Sequence, residues 1–189
     1  MTDEILIQQA RKGNEVAFSQ LVERHKDYVF SLCVRTLKNR ANAEEVAQEI
    51  FIKMFRKLSS FKGDAKFTTW LYTIAYRACL DFIRRNKAKS YSLDSEDSSL
   101  QISAVGENPQ EKMEANELTA ILKEQLDKMK PQDASLISLF YFKEKNVKEV
   151  AEIMNLSESN VKVKIHRLRE KMRVTLVEGY GSSIRNWMQ

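Results

Sequence analysis

The sequence predicts an all-α protein in which two small helical domains are joined by a flexible acidic linker. Its 189 residues include five glycines and two prolines, too few for the tight turns of β-hairpins. Apolar residues recur at three- and four-residue steps over most of the chain, the spacing of amphipathic helices. Lysine and arginine outweigh the acidic residues by 7 over residues 1–89 and by 4 over 118–189, whereas residues 90–117 carry a net charge of −6.

Composition restricts the class of protein and of site. Hydrophobic residues make up 43% and charged residues 30%, and no run approaches the roughly 18 apolar residues of a membrane span. The first residues lack the pattern of a signal peptide, so we expect a cytoplasmic protein without membrane insertion. Cys33 and Cys79 lie in apolar helical patterns, and His25 and His166 have no second ligand at metal spacing. We therefore expect core thiols, no metal, no cofactor and no enzyme.

The two basic blocks favour nucleic acid as the partner. The sequence pI is about 9.1, and clustered cations attract phosphates. A modest excess of positive charge is equally consistent with an ordinary solvated surface, so the sequence motifs are needed to distinguish that surface from a nucleic-acid-binding one. The acidic, serine-rich segment 90–117 has no sustained helical period, which predicts a flexible linker between two binding units.

Two amphipathic helices are predicted first. Residues 14–39 carry apolar side chains at helical spacing, and Asn42 with Glu45 fits a capping box that begins a second helix from Ala43 to Leu58. The apolar stripe of this second helix comprises Val46, Ala47, Ile50, Met54 and Leu58, and its opposite face carries Glu45, Gln48, Glu49, Ile52, Lys53 and Arg56. Such a face is usually only solvated, but an exposed Ile52 beside carboxylates favours a surface that docks a basic helix.

A loop and a third helix follow. Gly63 and Asp64 interrupt the helical pattern, and Thr68 or Thr69 is expected to cap the next helix. That helix has an apolar stripe, Leu71, Ile74, Ala75, Ala78 and Phe82, and ends in the cations Arg84, Arg85, Lys87 and Lys89. Cations at this place suit a helix C-terminus and a phosphate backbone equally well.

Aromatic and basic residues are interleaved between positions 51 and 76. The rings belong to Phe51, Phe55, Phe61, Phe67, Trp70, Tyr72 and Tyr76, and the cations among them are Lys53, Arg56, Lys57, Lys62 and Lys66. Each ring stacked on an unpaired base contributes roughly 1 to 3 kcal/mol, so the pattern is typical of a surface for unpaired nucleic acid. About half of the rings are expected to lie in the core instead.

The C-terminal block predicts a helix-turn-helix. An amphipathic helix is expected over residues 118–130, and Pro131 opens the next. The motif follows, with apolar residues at Val150, Met154, Leu156, Val161 and Ile165, Ala151 at the helix contact, Asn155 in a left-handed turn and Ser157 as the cap. Its second helix directs Ser159, Asn160, Lys162, Lys164 and Arg167 outward, towards base edges and phosphates. A helix-turn-helix can also be a mere packing unit, but the basic run from Arg167 to Arg173 favours DNA binding.

Three motifs in this order resemble a known family. The segments Asn42-Ala-Glu-Glu-Val-Ala-Gln-Glu-Ile-Phe51 and Phe61-Lys-Gly-Asp-Ala-Lys-Phe-Thr-Thr-Trp-Leu-Tyr72, followed by the terminal helix-turn-helix, resemble the extracytoplasmic-function group of bacterial RNA polymerase sigma factors. The likeness covers nearly the whole chain and implies sigma domain 2 over residues 1–89 and sigma domain 4 over 118–189. It also implies the function: a sigma factor that binds core RNA polymerase and directs promoter recognition, DNA melting and transcription initiation, with no catalytic residues.

The resemblance also implies roles for residues. The helix from Ala43 to Leu58 would bind the polymerase clamp helices through Glu45, Gln48, Glu49, Ile52 and Lys53. The minus 10 element would be contacted by Lys62, Asp64, Lys66, Phe67, Trp70, Tyr72, Tyr76, Arg77, Arg84 and Arg85, with one nontemplate base flipped into a pocket near residues 62–67. The minus 35 element would be read by Ser159, Asn160, Lys162, Val163, Lys164, His166 and Arg167.

Further partners and two departures follow from the same resemblance. The implied partners are core RNA polymerase, with its clamp helices and flap, promoter DNA and an anti-sigma factor. The linker would thread through the polymerase in an extended form. Arg77 stands where the family commonly has Asn, and Val163 where a small polar residue is frequent, which predicts unusual base preferences.

A free-standing helix-turn-helix regulator, whose first domain senses a ligand or dimerises, is the alternative function. The 45–56 face and the 61–72 segment distinguish the two, because such a regulator has no use for them. A nucleic-acid enzyme is disfavoured, since the sequence offers no clustered Asp, Glu and His set for a catalytic metal.

Overall fold

The computed structural model describes residues 2–91 and 124–180, and every regular element in these ranges is helical, which confirms the all-α class. The chain divides into two compact units, residues 1–109 with 152–154 and residues 110–151 with 155–189, termed the N-terminal and C-terminal units. In the described ranges no helix has the length and apolar character needed to cross a membrane. Most of the predicted linker, residues 92–117, lies outside the described residues.

Four α-helices form the described part of the N-terminal unit. They are α1 (Asp3–Arg11), α2 (Glu15–Leu37), α3 (Arg40–Lys57) and α4 (Phe67–Tyr91), with a 3₁₀ turn (Leu58–Ser60) after α3. The periodicity predicted α2, α3 and α4, whereas α1 has no counterpart in the prediction, which begins at residue 14. Helix α4 also continues to Tyr91, past the point at which the linker was expected to begin.

The core of the N-terminal unit lies where α2, α3 and α4 pack on one another and α1 covers α2. Its largest fully buried side chains are Leu6, Leu21, Val29, Val46, Ile50, Met54 and Leu71, and the predicted apolar stripes of α3 and α4 are buried throughout. Cys33 and Cys79 are buried with their sulfur atoms 3.7 Å apart, which confirms the expectation of core thiols. The hydrogen bond with Cys79, together with burial, raises the pKa of the Cys33 thiol.

The start of α3 differs from the predicted capping box. Asn39 caps the helix, because its side chain accepts a hydrogen bond from the backbone N–H of Asn42 at 2.9 Å. Asn42 therefore lies in the first turn, and the assignment of Asn42 as the cap is wrong. Lys38 ends α2 in a left-handed conformation, with φ of 55°, so that two residues suffice to connect α2 and α3.

The described part of the C-terminal unit begins with a helical stretch over residues 124–128, which belongs to the helix predicted for 118–130. Pro131 then opens α5 (Pro131–Ile137), as predicted, and a π-helical segment (Ser138–Phe142) continues it. Helices α6 (Val147–Met154) and α7 (Glu158–Tyr180) follow. The buried apolar side chains of this unit include Leu126, Leu136, Ile137, Leu139, Val150, Val161 and Ile165.

Helices α6 and α7 have the local structure of the predicted helix-turn-helix. Asn155 between them has a φ of 54°, the left-handed conformation expected of it. Ser157 Oγ accepts a hydrogen bond from the N–H of Asn160 at 3.3 Å, which confirms the cap of α7. A capping box that the sequence analysis did not predict begins α6: the side chain of Asn146 accepts from the N–H of Glu149 at 2.9 Å, and that of Glu149 accepts from the N–H of Asn146 at 3.0 Å.

Replacing Asn39 with alanine is expected to destabilise the N-terminal unit by about 1 kcal/mol, because an N-cap side chain contributes roughly that much. Asn42→Ala is the matched control and is expected to change the free energy of unfolding less, since the cap uses only the backbone of Asn42. The chain has two tryptophans, so urea unfolding followed by Trp70 fluorescence in a Trp187→Phe background reports on this unit. An equal or larger loss for Asn42→Ala would contradict the assignment of the cap to Asn39.

Candidate functional site

Helix α3 presents a mixed polar and apolar face to solvent. Glu45 and Gln48 are exposed, Ile52 is 51% exposed, and Glu49 and Lys53 are half-buried at one side of the face. Because the apolar stripe of α3 is buried in the core, these five residues share the outward side of the helix. An apolar side chain among carboxylates at this place can pack against a partner helix that carries cations.

Two cations hold the Glu49 carboxylate. Oε1 lies 2.9 Å from Nζ of Lys53, one turn further along α3, and Oε2 lies 3.4 Å from Nη2 of Arg85 on α4. The hydrogen bond from Lys53 is the main cause that lowers the pKa of the Glu49 carboxyl; Arg85 adds to the lowering, and partial burial opposes it. The contact therefore links a predicted polymerase-binding residue to a predicted phosphate-binding one.

Phe55 extends the outward face of α3, although it was not among the residues predicted for it. Its side chain is 58% exposed, and its ring meets that of Phe18 on α2 edge to face, with ring centroids 5.0 Å apart. Its position three residues after Ile52 is the sequence signal for this placement. The interleaved aromatic and basic pattern alone would instead assign Phe55 to the surface for unpaired nucleic acid, together with the rings that follow α3.

The segment between α3 and α4 leads into an aromatic cluster formed by Phe61, Phe67 and Trp70. Their ring centroids are 5.2 to 5.7 Å apart, in tilted or edge-to-face arrangements. Phe67 is buried, whereas Phe61 and Trp70 are half-buried. Helix α4 begins at Phe67, so Thr68 and Thr69 lie in its first turn and the prediction that one of them caps the helix is wrong.

A short loop over residues 62–66 carries the cations of this region. Lys62, Asp64 and Lys66 are exposed, and Gly63 has a φ of 85°, which allows the chain to turn there. A half-buried ring with cations nearby can offer one face to an unpaired base while the cations neutralise phosphates. The loop and the aromatic cluster together have the chemistry of such a surface.

Three of the predicted DNA-contacting rings lie in the core. Tyr72 and Tyr76 are each 3% exposed, as buried as Phe67, and the Tyr72 ring meets that of Tyr28 at 6.5 Å. Burial, with a smaller effect of Tyr28, raises the pKa of the Tyr72 hydroxyl. Since three of the seven rings between positions 51 and 76 are buried, the expectation that about half are core is close. In this conformation the three rings have no free face for a base and support the site from within.

Helix α4 carries three arginines predicted to contact minus 10 DNA, and two of them, Arg84 and Arg85, are the predicted phosphate contacts. Arg77 is exposed, Arg84 lies 3.6 Å from the Asp81 carboxylate, and Arg85 has Glu49 as its partner. Both ion pairs involve largely exposed arginines, and such pairs contribute only about 0 to 1 kcal/mol. A phosphate can therefore replace either carboxylate at little cost.

Helix α7 exposes most of the residues predicted to enter the DNA major groove. Its exposed side chains include Ser159, Asn160, Lys162, Val163, His166 and Arg167. Lys164 is half-buried, with Nζ 3.7 Å from the Asp133 carboxylate. The opposite side of α7, which includes Val161, Ile165 and Leu168, is buried. Hydroxyl, amide and cationic groups are thus placed together on the free side of the helix.

The titratable groups form no candidate metal centre within residues 2–91 and 124–180. His25 is buried and lies with Nε2 2.8 Å from Oδ2 of Asp3. His166 is exposed on α7. His25 thus lies in the core of the N-terminal unit and His166 on the surface of α7.

Comparison with known proteins identifies the family. Sigma-70 region 2 matches residues 21–89, and Sigma-70 region 4 matches residues 119–172. The chain belongs to the sigma-70 family. It is 36% identical over 177 residues to the ECF RNA polymerase sigma factor SigW of Bacillus subtilis, which covers 90% of this chain and 94% of SigW. The ECF RNA polymerase sigma-E factor of Escherichia coli is 31% identical over 177 residues, 90% of this chain and 92% of that protein.

Two solved structures share the fold. CnrH, solved in complex with the cytosolic domain of CnrY, matches with a TM-score of 0.63 and 24% identity over 94% of this chain and 98% of that one. The sigma factor RpoE of Bartonella quintana, solved with the anti-sigma factor NepR, matches with a TM-score of 0.69 and 16% identity over 84% and 96%. The chain is thus an extracytoplasmic-function sigma factor, and sigma factors are not catalytic enzymes.

Replacing Lys53 with methionine is expected to raise the pKa of Glu49 more than Arg85→Met does, because the Lys53 hydrogen bond is the main cause of the lowering. A carboxyl whose pKa is lowered by folding adds stability above its unfolded pKa, and this is lost as the pH falls through the folded pKa. An NMR titration of the Glu49 side-chain carboxyl measures both shifts. The two substitutions each remove one cation, so a larger shift for Arg85→Met would contradict the assignment.

Proposed function

We propose that this sigma factor binds core RNA polymerase through the outward face of α3 and directs it to promoters. Region 2 and region 4 family membership supports the proposal. The observation that carries it is the presence, in one unit, of an exposed docking face and an aromatic, basic surface for unpaired DNA. A free-standing helix-turn-helix regulator would need neither of these two surfaces, and the family matches do not favour the regulator function.

The polymerase contact is assigned to the exposed centre of α3. Glu45 and Gln48 supply polar groups, Ile52 supplies apolar area, and Phe55 adds to that area. A surface of this kind fits the basic side of a helix pair such as the polymerase clamp helices. Glu49 and Lys53 lie at one side of the face, where their mutual ion pair lowers the pKa of the Glu49 carboxyl.

The minus 10 site is assigned to the 62–66 loop, the exposed parts of the aromatic cluster and the arginines of α4. Unstacking one base costs a few kcal/mol, which stacking on a protein ring and phosphate contacts offset, so melting needs no reactive side chain. Arg77 and Arg84 are two turns apart on the same side of α4, about 10 Å along its axis. One strand of B-DNA carries one phosphate per roughly 3.4 Å of helix axis, so two arginines this far apart would contact different phosphates.

The minus 35 site is assigned to the free side of α7. Ser159, Val163, His166 and Arg167 follow one another at helical spacing and are all exposed, so they can enter the major groove together. Val163 offers an apolar contact suited to the methyl group of thymine. Val163 therefore favours an A·T base pair at the position that it contacts, whereas a polar residue there would favour a base that offers a hydrogen bond.

Two partners complete the assignment. Core polymerase and promoter DNA act in the cytoplasm, where we place this chain. The relative RpoE is solved with the anti-sigma factor NepR, and we propose that an anti-sigma factor also controls this chain. Such a protein would compete for the outward face of α3.

Runoff transcription tests the proposed function. Core RNA polymerase is incubated with promoter-containing DNA with and without this chain, and the start sites are mapped. The chain is expected to create start sites that core polymerase alone does not use. Identical starts in both reactions would refute the proposal, and strong binding to duplex promoter DNA without polymerase, together with failure to co-purify with it, would establish the regulator.

Replacing Glu45 with lysine is expected to abolish binding to core polymerase while leaving the fold intact, because Glu45 is exposed and carries no core contact. Adding Glu49→Lys should have the same effect on binding, but it also places a third cation beside Lys53 and Arg85. Glu44→Lys is the matched control, because it makes the same charge change at a neighbouring exposed position outside the proposed contact.

Pull-down with core polymerase measures the binding, and circular dichroism measures the fold. Retained binding by the folded Glu45→Lys variant, or equal loss by Glu44→Lys, would contradict the contact.

Arg167→Ala is expected to weaken binding of the holoenzyme to minus 35 duplex DNA and to reduce the slope of log affinity against log salt by about 1, since one phosphate or base contact is lost. Lys128→Ala is the control: it removes an exposed cation of the same unit that lies outside the basic run from Arg167 to Arg173 and is held by Glu124 at 2.6 Å. Fluorescence anisotropy at several salt concentrations measures both slopes. An unchanged slope for Arg167→Ala would argue against the contact.

A further inference from the structure

Arg11, the last residue of α1, reaches across to the start of the minus 10 region. Its Nε donates to the carbonyl of Leu58 at 3.0 Å, and its Nη2 donates to the carbonyl of Phe61. The guanidinium also lies over the Phe61 ring, with its central carbon 5.9 Å from the ring centroid. One side chain thus holds both ends of the 3₁₀ turn that follows α3. Arg11 precedes the residues matched by sigma-70 region 2.

The helix that carries Arg11 is itself fixed in place. Leu6 and Ile7 are buried, and at the other end of α1 the Asp3 carboxylate lies 3.0 Å from the Arg24 guanidinium and 2.8 Å from the His25 ring. The Arg11 backbone therefore has a defined position. A planar guanidinium with donors in fixed directions can hold two carbonyls at once, which a lysine ammonium on a flexible stem does less well.

The contacts continue from Arg11 into the aromatic cluster. Phe61 is half-buried, and its ring centroid lies 5.7 Å from that of Phe67 and 5.2 Å from that of Trp70. Because Arg11 holds the Phe61 carbonyl and covers the Phe61 ring, it restrains both the backbone and the side chain of this residue. The loop over residues 62–66 begins directly after it.

We propose that Arg11 is a positioning residue of the minus 10 site. It contacts no DNA and instead holds Phe61 against Trp70, so that Trp70 and the loop are preorganised for an unpaired base. The inference rests on the proposed function of the loop and the aromatic cluster. Preorganisation strengthens binding because the loop need not be ordered when the base arrives.

The first experiment measures the position of the cluster without DNA. In the full chain with Trp187→Phe, Trp70 is the remaining tryptophan, and acrylamide quenching of its fluorescence reports its exposure. Arg11→Ala is expected to raise the quenching constant about twofold as the Phe61 ring leaves Trp70. Arg11→Lys, which keeps the charge but loses the planar guanidinium, should give an intermediate value. Arg24→Ala is the matched control, because it also removes a cation that ties α1 to its surroundings, but it does so at the Asp3 end of the helix, opposite to Arg11.

The second experiment measures binding by the holoenzyme. The probe is a single-stranded oligonucleotide that carries the nontemplate minus 10 sequence of a start site mapped by runoff transcription. Arg11→Ala is expected to weaken this binding about tenfold and to leave binding to core polymerase and to minus 35 duplex DNA unchanged. Arg24→Ala should bind the oligonucleotide as the wild-type chain does.

Three outcomes would overturn the inference. The first is an Arg11→Ala variant with wild-type quenching and wild-type affinity. The second is an Arg24→Ala variant that matches Arg11→Ala in both measurements. If Arg11→Ala does not fold, the third is a folded Arg11→Lys variant that behaves as the wild-type chain does in both measurements. Failure of the proposed function gives a different result, since the wild-type holoenzyme would then not bind the oligonucleotide, while quenching would still report whether Arg11 positions the cluster.

Discussion

The packing of α3 against both α2 and α4 is the constraint on which the N-terminal unit depends. Val46, Ile50 and Met54 are fully buried by this packing, and a helix of 3.6 residues per turn must then expose the side that carries Glu45 and Ile52. The same packing brings α4 beside α3, so that Arg85 reaches Glu49. The proposed docking face and the proposed phosphate contact at Arg85 are therefore neighbours because of how the core is built.

The elements predicted from sequence are those whose apolar stripes are long. The stripe of α3 and that of α4 each extend over several turns, and the helix-turn-helix adds a left-handed Asn155 and a Ser157 cap to its apolar pattern. Helix α1 has nine residues, and isolated helices shorter than about 12 residues are marginal in water. Its order comes from tertiary contacts: Leu6 and Ile7 are buried where α1 packs on α2, and Asp3 and Arg11 bind residues distant in sequence. The local sequence does not indicate these partners.

The sequence could neither choose the cap of α3 nor separate the exposed aromatic rings from the buried ones, and the two reasons are related. Asn39 and Asn42 both satisfy the local rule for a cap, and the choice depends on where α2 ends. Helix α2 ends at Lys38 in a left-handed conformation. Lysine, unlike glycine or asparagine, does not indicate a left-handed helix end in the sequence. Spacing along the sequence predicts which residues share a helix face only within one continuous helix. Because a non-helical loop separates α3 from α4, spacing cannot tell whether Phe55 and Tyr72 face the core or the solvent. Only the packed structure separates the exposed ring from the buried one.

The contact between Glu49 and Arg85 bears on how promoter selectivity can arise in the proposed function. If polymerase takes the Glu49 carboxylate, Arg85 is released for a phosphate, so binding to one partner favours binding to the other. Both groups are partly exposed, and a pair of this kind contributes at most about 1 kcal/mol, a factor of about 5 in affinity. That factor is too small to make free sigma and holoenzyme differ greatly in DNA binding. Most of the selectivity must therefore come from attaching both DNA-binding units to one polymerase, where contact at one promoter element raises the effective concentration of the other unit at its own.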